Sequence, residues 1–109
     1  FAQQGIIWCS VDYPNVPGLP LSRLILTSQT GYLRMHGKNP NWWDAHSAAE
    51  RHDYRYTETE MQAWAQSIAN QQSNFNTLYI FFENTVKAHA VYNIAMLKQA
   101  LREQNLEVL

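Results

Sequence analysis

The sequence contains a single cysteine, Cys9, so it cannot form an internal disulfide bond. This scarcity is typical of proteins in a reducing compartment, and we expect a cytoplasmic location. The sequence also lacks any apolar run near the ~18–20 residues that a membrane-spanning helix requires, so no membrane partner is expected. It has no excess of positive charge, because eight Lys and Arg residues face nine Asp and Glu residues. A dedicated nucleic-acid-binding protein, which depends on a clustered basic surface, is therefore excluded.

Hydrophobic residues are abundant at 46% and aromatic residues at 13%, which together predict a folded globular protein. A chain of 109 residues has room for one small domain, so we take residues 1–109 as a single domain. Residues 1–5 have the character of a helix end with a glycine stop, directly before a strand. We therefore expect the chain to begin inside a longer protein and the domain to be incomplete.

The apolar pattern predicts three short strands and two main helices. The strands are expected at residues 6–11, 32–36 and 77–82, with loops over 14–31 and 38–56. A capping box at Thr57 and Glu60 starts a helix over residues 58–72, and a four-three-four apolar spacing predicts another over 87–104. Strands that alternate with helices pair in parallel, so the predicted fold class is α/β.

Each predicted strand has one apolar face and one face that ends in an ionisable residue. The apolar sets, expected to face the helices, are Ile7, Cys9 and Val11; Leu33 and Met35; and Leu78, Ile80 and Phe82. The opposite faces end in Asp12, His36 and Glu83. Because α/β proteins place their active sites at the carboxyl ends of parallel strands, we expect these three side chains to meet at one rim. They would serve there as catalytic acid and base groups.

Arg34 precedes His36 by two residues on the same predicted face, so it lies one layer deeper from the rim. Its guanidinium could clamp an anionic ligand there. In the alternative interpretation Arg34 only neutralises Asp12 or Glu83 within a structural polar network. Asp, His and Glu also ligate divalent metals, but the sequence has no HExxH or CxxC spacing. We therefore predict no metal site, and the sequence assigns no cofactor.

The loop over residues 38–56 is rich in aromatic and polar residues, a composition typical of binding loops. Trp42 and Trp43 could stack on a sugar or a base, or could instead cover the end of the sheet. His46 and His52 could form a loop metal site, or could be solvated histidines. Both alternatives remain open from the sequence.

Five segments in order along nearly the whole chain form a recognisable set of motifs. They are Val11-Asp12-Tyr13-Pro14, Tyr32-Leu33-Arg34-Met35-His36-Gly37-Lys38-Asn39, Arg55-Tyr56-Thr57 before a helix with Trp64, Tyr79-Ile80-Phe81-Phe82-Glu83-Asn84, and Asn93. With these motifs the chain resembles the YecE-like family, also called domain of unknown function seventy-two. The resemblance implies a TIM barrel of about eight strands, of which this chain supplies the last three, the sixth to the eighth.

The resemblance also implies which residues lie near the mouth of the barrel. The positions that match the family motifs are Asp12, Arg34, His36, Gly37, Asn39 and Asn84. Glu83 stands where the family more often has asparagine, and Lys38 replaces a frequent arginine. The family name carries no reaction, so the resemblance implies the fold and the place of the site but no chemistry.

Our first functional hypothesis is an enzyme that acts on a polar or sugar-like small molecule at the barrel mouth. Asp12 and His36 would be its acid and base groups, while Arg34 and Asn84 would orient the substrate. The alternatives are a non-catalytic module that binds a ligand or a protein partner, and an inactive piece of either. Three parallel strands leave two unpaired edges, so we expect the isolated chain either to self-associate or to be part of a longer polypeptide.

Overall fold

The computed structural model describes residues 6–19 and 22–109 of the chain. Its elements, in chain order, are β1 (Cys9–Asp12), β2 (Thr30–Met35), α1 (Ala48–Arg51), α2 (Glu58–Asn70), β3 (Thr77–Phe82) and α3 (His89–Glu103). Short 3-10 turns lie at Gln72–Asn74 and Val86–Ala88. The predicted α/β class is confirmed, whereas the expectation for residues 1–5 falls outside the described residues.

The three strands form one sheet in the order β1-β2-β3, and both neighbouring pairs are parallel, as predicted. Asp12 is in register with Met35, and Met35 with Phe82. Because side chains at paired positions of a sheet point to the same face, this row of residues defines one face across all three strands. In the described residues the sheet has no neighbouring strand at either edge.

The hydrophobic core lies between that face of the sheet and the helices α2 and α3. Its buried members are Leu33 and Met35 of β2, Met61, Ala65 and Ile68 of α2, Leu97, Ala100 and Leu101 of α3, and the loop residues Leu24 and Tyr56. On α2 and α3 these residues recur at intervals of three and four, so each helix presents a single apolar stripe to the sheet. On the opposite face of the sheet Tyr79 and Phe81 are 48% and 47% exposed.

The helix boundaries follow from local hydrogen bonds. Thr57 Oγ1 accepts from the Glu60 amide at 3.1 Å and the Thr57 amide donates to Glu60 Oε1 at 2.9 Å, which confirms the predicted capping box. The helix α2 ends at Asn70, two residues earlier than predicted, where the chain enters a 3-10 turn. The sequence pattern did not predict α1, a single turn that Ser47 caps by accepting from the Glu50 amide.

The predicted orientation of the first strand is wrong. Ser10 and Asp12, which were expected on the face opposite the helices, are buried on the core face, and Cys9 is exposed on the other. The Ser10 hydroxyl is stabilised there by hydrogen bonds to both backbone groups of Ile25, at 2.8 and 3.1 Å. A polar side chain can lie in a core when its hydrogen bonds are satisfied, and a partner 15 residues away is invisible to an alternation pattern. The faces predicted for the other two strands are confirmed.

A fully buried asparagine, Asn93 of α3, joins the helix layer to the segment that enters α2. Its Oδ1 accepts from the Tyr56 amide at 2.8 Å, and its Nδ2 donates to the Tyr56 carbonyl at 2.9 Å. Asn84 Nδ2 donates to the same Oδ1 at 3.0 Å. One side chain therefore satisfies both backbone groups of a buried residue outside any strand or helix.

Replacing Asn93 with Ala should destabilise the protein by about 2–3 kcal/mol, because it leaves the Tyr56 amide and carbonyl buried without partners. Urea unfolding followed by tryptophan fluorescence measures this loss. The matched control is Gln99→Ala on the exposed side of the same helix, for which we expect a change below about 0.5 kcal/mol. Equal effects of the two substitutions would contradict this role of Asn93.

Candidate functional site

A pair of histidines lies beyond the carboxyl end of β2. His36 directly follows the strand, and its Nδ1 is 3.3 Å from Nε2 of His52, the residue that follows α1 and caps its C-terminus. The ring of Tyr13 stacks on His36 with centroids 4.3 Å apart, and Trp42 contacts both histidines edge-on. His36 is only 8% exposed. The sequence predicted His36 for this place but left open whether His52 was solvated, and it gave no role to Tyr13.

The surroundings of the two histidines hold both rings in their neutral form. Burial, and next the charge of a protonated His52, lower the pKa of His36 to about 4. Burial also lowers the pKa of His52. Near neutral pH, therefore, one ring carries the shared hydrogen and donates it to the nitrogen of the other. If Nδ1 of His36 is the donor, its Nε2 keeps a lone pair that can accept a proton.

An ion pair lies on the same face of the sheet as His36. Nη2 and Nε of Arg34 donate to Oε1 of Glu83 at 2.7 and 2.9 Å. The negative charge of Glu83 raises the pKa of His36, and the positive charge of Arg34 lowers it. The effect of burial is larger than either. The pair corresponds to one version of the predicted structural network, in which Arg34 neutralises Glu83 rather than Asp12.

Asp12 does not join His36 and Glu83, so the expectation of one shared rim is wrong for this residue. Its carboxylate is 0% exposed and lies on the core face. There Oδ2 accepts from the Tyr56 hydroxyl at 2.6 Å, and Oδ1 lies 2.6 Å from Lys38 Nζ. A buried carboxylate requires such partners, and both come from the segment between β2 and α2.

Tyr56 connects the buried carboxylate to the segment that carries His36. Burial, and next the charge of Asp12, raise the pKa of the Tyr56 hydroxyl, so that it stays protonated and donates to the carboxylate. The same hydroxyl accepts from the Gly37 amide at 2.8 Å. Gly37 has φ +92°, and a side chain there would meet Tyr54 at 2.9 Å. Asp12 thus acts through Tyr56 to fix the backbone next to His36.

The side chains of the two predicted asparagines both form hydrogen bonds with backbone groups. Asn84 is fully buried, and its Nδ2 donates to the Tyr54 carbonyl at 2.8 Å as well as to Asn93. Asn39 donates to the Glu50 carbonyl at 2.7 Å, and its Oδ1 accepts from the Asn41 amide at 3.0 Å. Each side chain closes a loop near the histidine pair.

The two predicted tryptophans of the loop differ in their surroundings. Trp42 is buried and packs against the histidine pair. Trp43 is exposed, and its Nε1 donates to the Pro17 carbonyl at 2.8 Å. His46, the other histidine of this loop, is exposed.

Among residues 6–19 and 22–109, no group of three or more His, Cys, Asp or Glu side chains is placed to hold a metal ion. Within the same ranges, no helix has the length and apolar character needed to cross a membrane.

Comparison with known proteins gives the same family that the motifs indicated. The family model described as "Protein of unknown function DUF72" matches residues 1–108. The chain belongs to the DUF72 family. No curated protein sequence matches the chain.

Solved structures of DUF72 family proteins are similar to this chain. The protein from Thermotoga maritima is 34% identical with a TM-score of 0.86, over 93% of this chain and 38% of that one. The protein from Enterococcus faecalis is 21% identical with a TM-score of 0.82, over 99% of this chain and 40% of that one. The chain thus spans about two fifths of the length of these DUF72 structures.

Removing one hydroxyl by Tyr56→Phe should destabilise the protein by about 2–3 kcal/mol, since both the Asp12 carboxylate and the Gly37 amide lose a buried partner. Chemical denaturation monitored by circular dichroism measures the change. The control, Tyr92→Phe, removes an exposed hydroxyl and should alter stability by less than about 0.5 kcal/mol. A similarly small effect at position 56 would show that the carboxylate does not depend on this hydroxyl.

The free energy of unfolding should fall as the pH drops from about 6.5 to about 4. In this window the unfolded chain binds a proton at His36 that the folded protein, with its pKa lowered to about 4, excludes. The loss from this one group reaches roughly 3 kcal/mol at the acid end. The other titratable groups whose charges act on the pKa of His36 are His52, Glu83, Arg34 and Asp12.

Urea unfolding over this pH series measures the dependence. His36→Gln should flatten it, whereas His46→Gln, at an exposed loop position, should leave it unchanged. A His36→Gln variant whose stability falls as steeply as that of the unmodified protein would show that His36 is not the source.

Proposed function

We propose that the chain supplies the last three strand units, the sixth to the eighth, of a TIM barrel. The parallel order β1-β2-β3 and the helices packed on one face are the local features of such a barrel. Three of eight strand units are about 38% of a barrel, and the chain spans 38% and 40% of its two solved relatives. The face that carries Tyr79 and Phe81 is then the side that points into the barrel.

Within this barrel the histidine pair is the centre of a site that binds a polar, sugar-like small molecule. The observation that carries the proposal is the hydrogen bond between His36 and His52 at the carboxyl end of a parallel strand, where α/β proteins place their active sites. The Tyr13 and Trp42 rings that enclose the pair are surfaces of the kind on which sugar rings pack.

His36 is the general base in this proposal, and His52 is its positioning residue. A base must be unprotonated at the working pH, and the low pKa of His36 meets that condition. A hydrogen bond from Nδ1 of His36 to His52 sets the tautomer in which Nε2 accepts the proton of a substrate hydroxyl. Arg34, held by Glu83, orients the polar groups of the substrate.

Asp12 has a different role from the acid or base first expected. Its contacts with Tyr56 and Lys38 support a positioning role, in which it holds the backbone that follows His36. Asn84 and Asn39 support the same loops from two further points. Acid or base catalysis by Asp12 is therefore not part of this proposal, whereas catalysis by Glu83 stays a prediction.

A second candidate function is a non-catalytic binding module. The observation that favours it is that the charged groups Asp12, Lys38, Arg34 and Glu83 are already paired with one another. In such a module the same aromatic enclosure holds a ligand, but no group exchanges a proton with it.

Binding is tested by titrating the protein with glucose, glucose 6-phosphate and sorbitol while the imidazole resonances of the histidines are followed by NMR. We expect at least one probe to shift the signals of His36 and His52, and His36→Gln to weaken its binding about tenfold or more. His46→Gln serves as the control and should bind unchanged. If none of the three probes perturbs the pair, the sugar-like ligand class is wrong. A probe that binds the His36→Gln variant equally well would favour the non-catalytic module.

A further inference from the structure

Residues 39–51, which we name the lid segment, are held together by their own hydrogen bonds. Asn39 Nδ2 donates to the Glu50 carbonyl at 2.7 Å, and Arg51 Nε donates to the Trp42 carbonyl at 3.0 Å. The helix α1 lies within the segment. Because these bonds join the first residues of the segment to the last, the segment can move as one unit.

The chain is anchored on both sides of the lid segment. Before it, the ammonium of Lys38 lies 2.6 Å from the buried carboxylate of Asp12. After it, the carboxylate of Asp53 lies 3.0 Å from Lys87 Nζ and 2.8 Å from His89 Nε2. These anchors fix where the segment begins and ends, so its movement relative to the sheet is a hinge motion about two points.

Trp43 fastens the lid segment to the loop that follows β1. Its Nε1 donates to the Pro17 carbonyl at 2.8 Å. The indole ring lies against Gly18, where a Cβ atom would come within 3.3 Å of Trp43 Cζ2. Gly18 has φ +88°, so both its backbone conformation and this close approach favour glycine. Among residues 6–19 and 22–109, the bond from Trp43 to Pro17 is the one hydrogen bond between the lid segment and that loop.

The lid segment covers the proposed general base. Trp42 meets the ring of His36 edge-on, with the ring centroids 6.3 Å apart, and Tyr13 stacks on the same ring. His36 is 8% exposed as a result. A general base must come within about 2.6–3.2 Å of the group that gives up the proton. With Trp42 and Tyr13 in place there is no room for a sugar-sized molecule beside the imidazole, so this is a closed conformation.

We propose that the lid segment opens to admit the ligand and closes over it, and that Trp43 is the latch that holds the closed conformation. Opening breaks the bond from Trp43 to Pro17 and withdraws Trp42 from His36 and His52. Closing returns Trp42 to the two rings and excludes water from them. The inference rests on the proposed ligand site, since it names the regulation of access to that site.

Two features make Trp43 suitable as a latch. One neutral hydrogen bond and a ring that stays 57% exposed hold the closed conformation only weakly, so the open conformation is within thermal reach. The guanidinium of Arg51 lies 6.0 Å from the ring of Trp42 and 6.0 Å from that of Trp43. Because one cation contacts both rings, release of Trp43 is coupled to movement of Trp42.

The experiment measures how fast diethyl pyrocarbonate, a small electrophile that acylates neutral imidazole, modifies each histidine of the 109-residue chain. Mass spectrometry of peptides separates His36 from the exposed His46. The pKa of His36 is lowered to about 4, so near neutral pH its ring is uncharged and a slow reaction reports access. In the unmodified chain His36 should react at least about tenfold more slowly than His46. Equal rates at the two residues overturn the lid.

Two substitutions weaken the latch from opposite sides. Trp43→Ala should raise the rate at His36 about fivefold or more, because it removes both the hydrogen bond and the ring contact, and should leave the rate at His46 unchanged. Gly18→Ala should also raise the rate at His36. Since both changes remove one contact, the double variant should react within about twofold of Trp43→Ala. A rate at His36 that Trp43→Ala does not change overturns the latch.

The control is Ile68→Ala, which destabilises the core near the C-terminal end of α2 without touching the lid segment. Its rate at His36 should equal that of the unmodified chain. If Ile68→Ala accelerates the reaction as much as Trp43→Ala does, acylation follows unfolding of the whole protein and the proposal is overturned.

A urea series on the unmodified chain covers the case in which the variants do not fold. Opening of the lid segment exposes little surface, so below the unfolding transition the rate at His36 should rise only weakly with urea. A slope equal to that of global unfolding, measured by circular dichroism, overturns the lid. Because acylation uses no sugar, the two proposals fail separately: sugars that do not bind leave the lid intact, and an unlatched His36 leaves the sugar titration intact.

Discussion

The arrangement of this protein depends on one buried charge, the carboxylate of Asp12. A carboxylate that is 0% exposed is stable only if hydrogen bonds and an opposite charge replace the water it has lost. The Tyr56 hydroxyl and the Lys38 ammonium supply these contacts, both at 2.6 Å. Because the two partners flank the long loop between β2 and α2, the carboxylate ties both ends of that loop to the end of β1.

The same contacts determine where the histidines lie. The Tyr56 hydroxyl accepts from the Gly37 amide, so the residue next to His36 is fixed to the buried cluster. The interior of the loop is then held by Asn39 and by the packing of Trp42, which together bring His52 up to His36. The placement of the histidine pair therefore depends on the contacts of the buried Asp12 carboxylate.

The sequence predicted the parts of the fold that depend on local periodicity. The alternation in β2 and β3 and the apolar stripes of α2 and α3 were predicted correctly, because these patterns reflect burial of adjacent residues against one surface. The predicted orientation of the first strand was wrong because the hydrogen-bond partners of Ser10 and Asp12 lie 15 and 44 residues away in the sequence. The same distinction applies to the candidate site. His36 was predicted from its place at the end of a strand. The roles of His52 and Tyr56 depend on the path of a loop that has no periodic pattern, so the sequence did not predict them.

The two faces of the sheet differ in how completely their side chains are buried. On the core face the strands pack against the helices and the segment around Leu24. Ser10 and Asp12 have hydrogen-bond partners there. On the open face the rings of Tyr32, Tyr79 and Phe81 stack in a row, with one ion pair at its end. Stacking removes part of the apolar surface of each ring from water, but the rest of that surface stays exposed. Burial of that area is thus favoured by the same hydrophobic effect that holds the core face together.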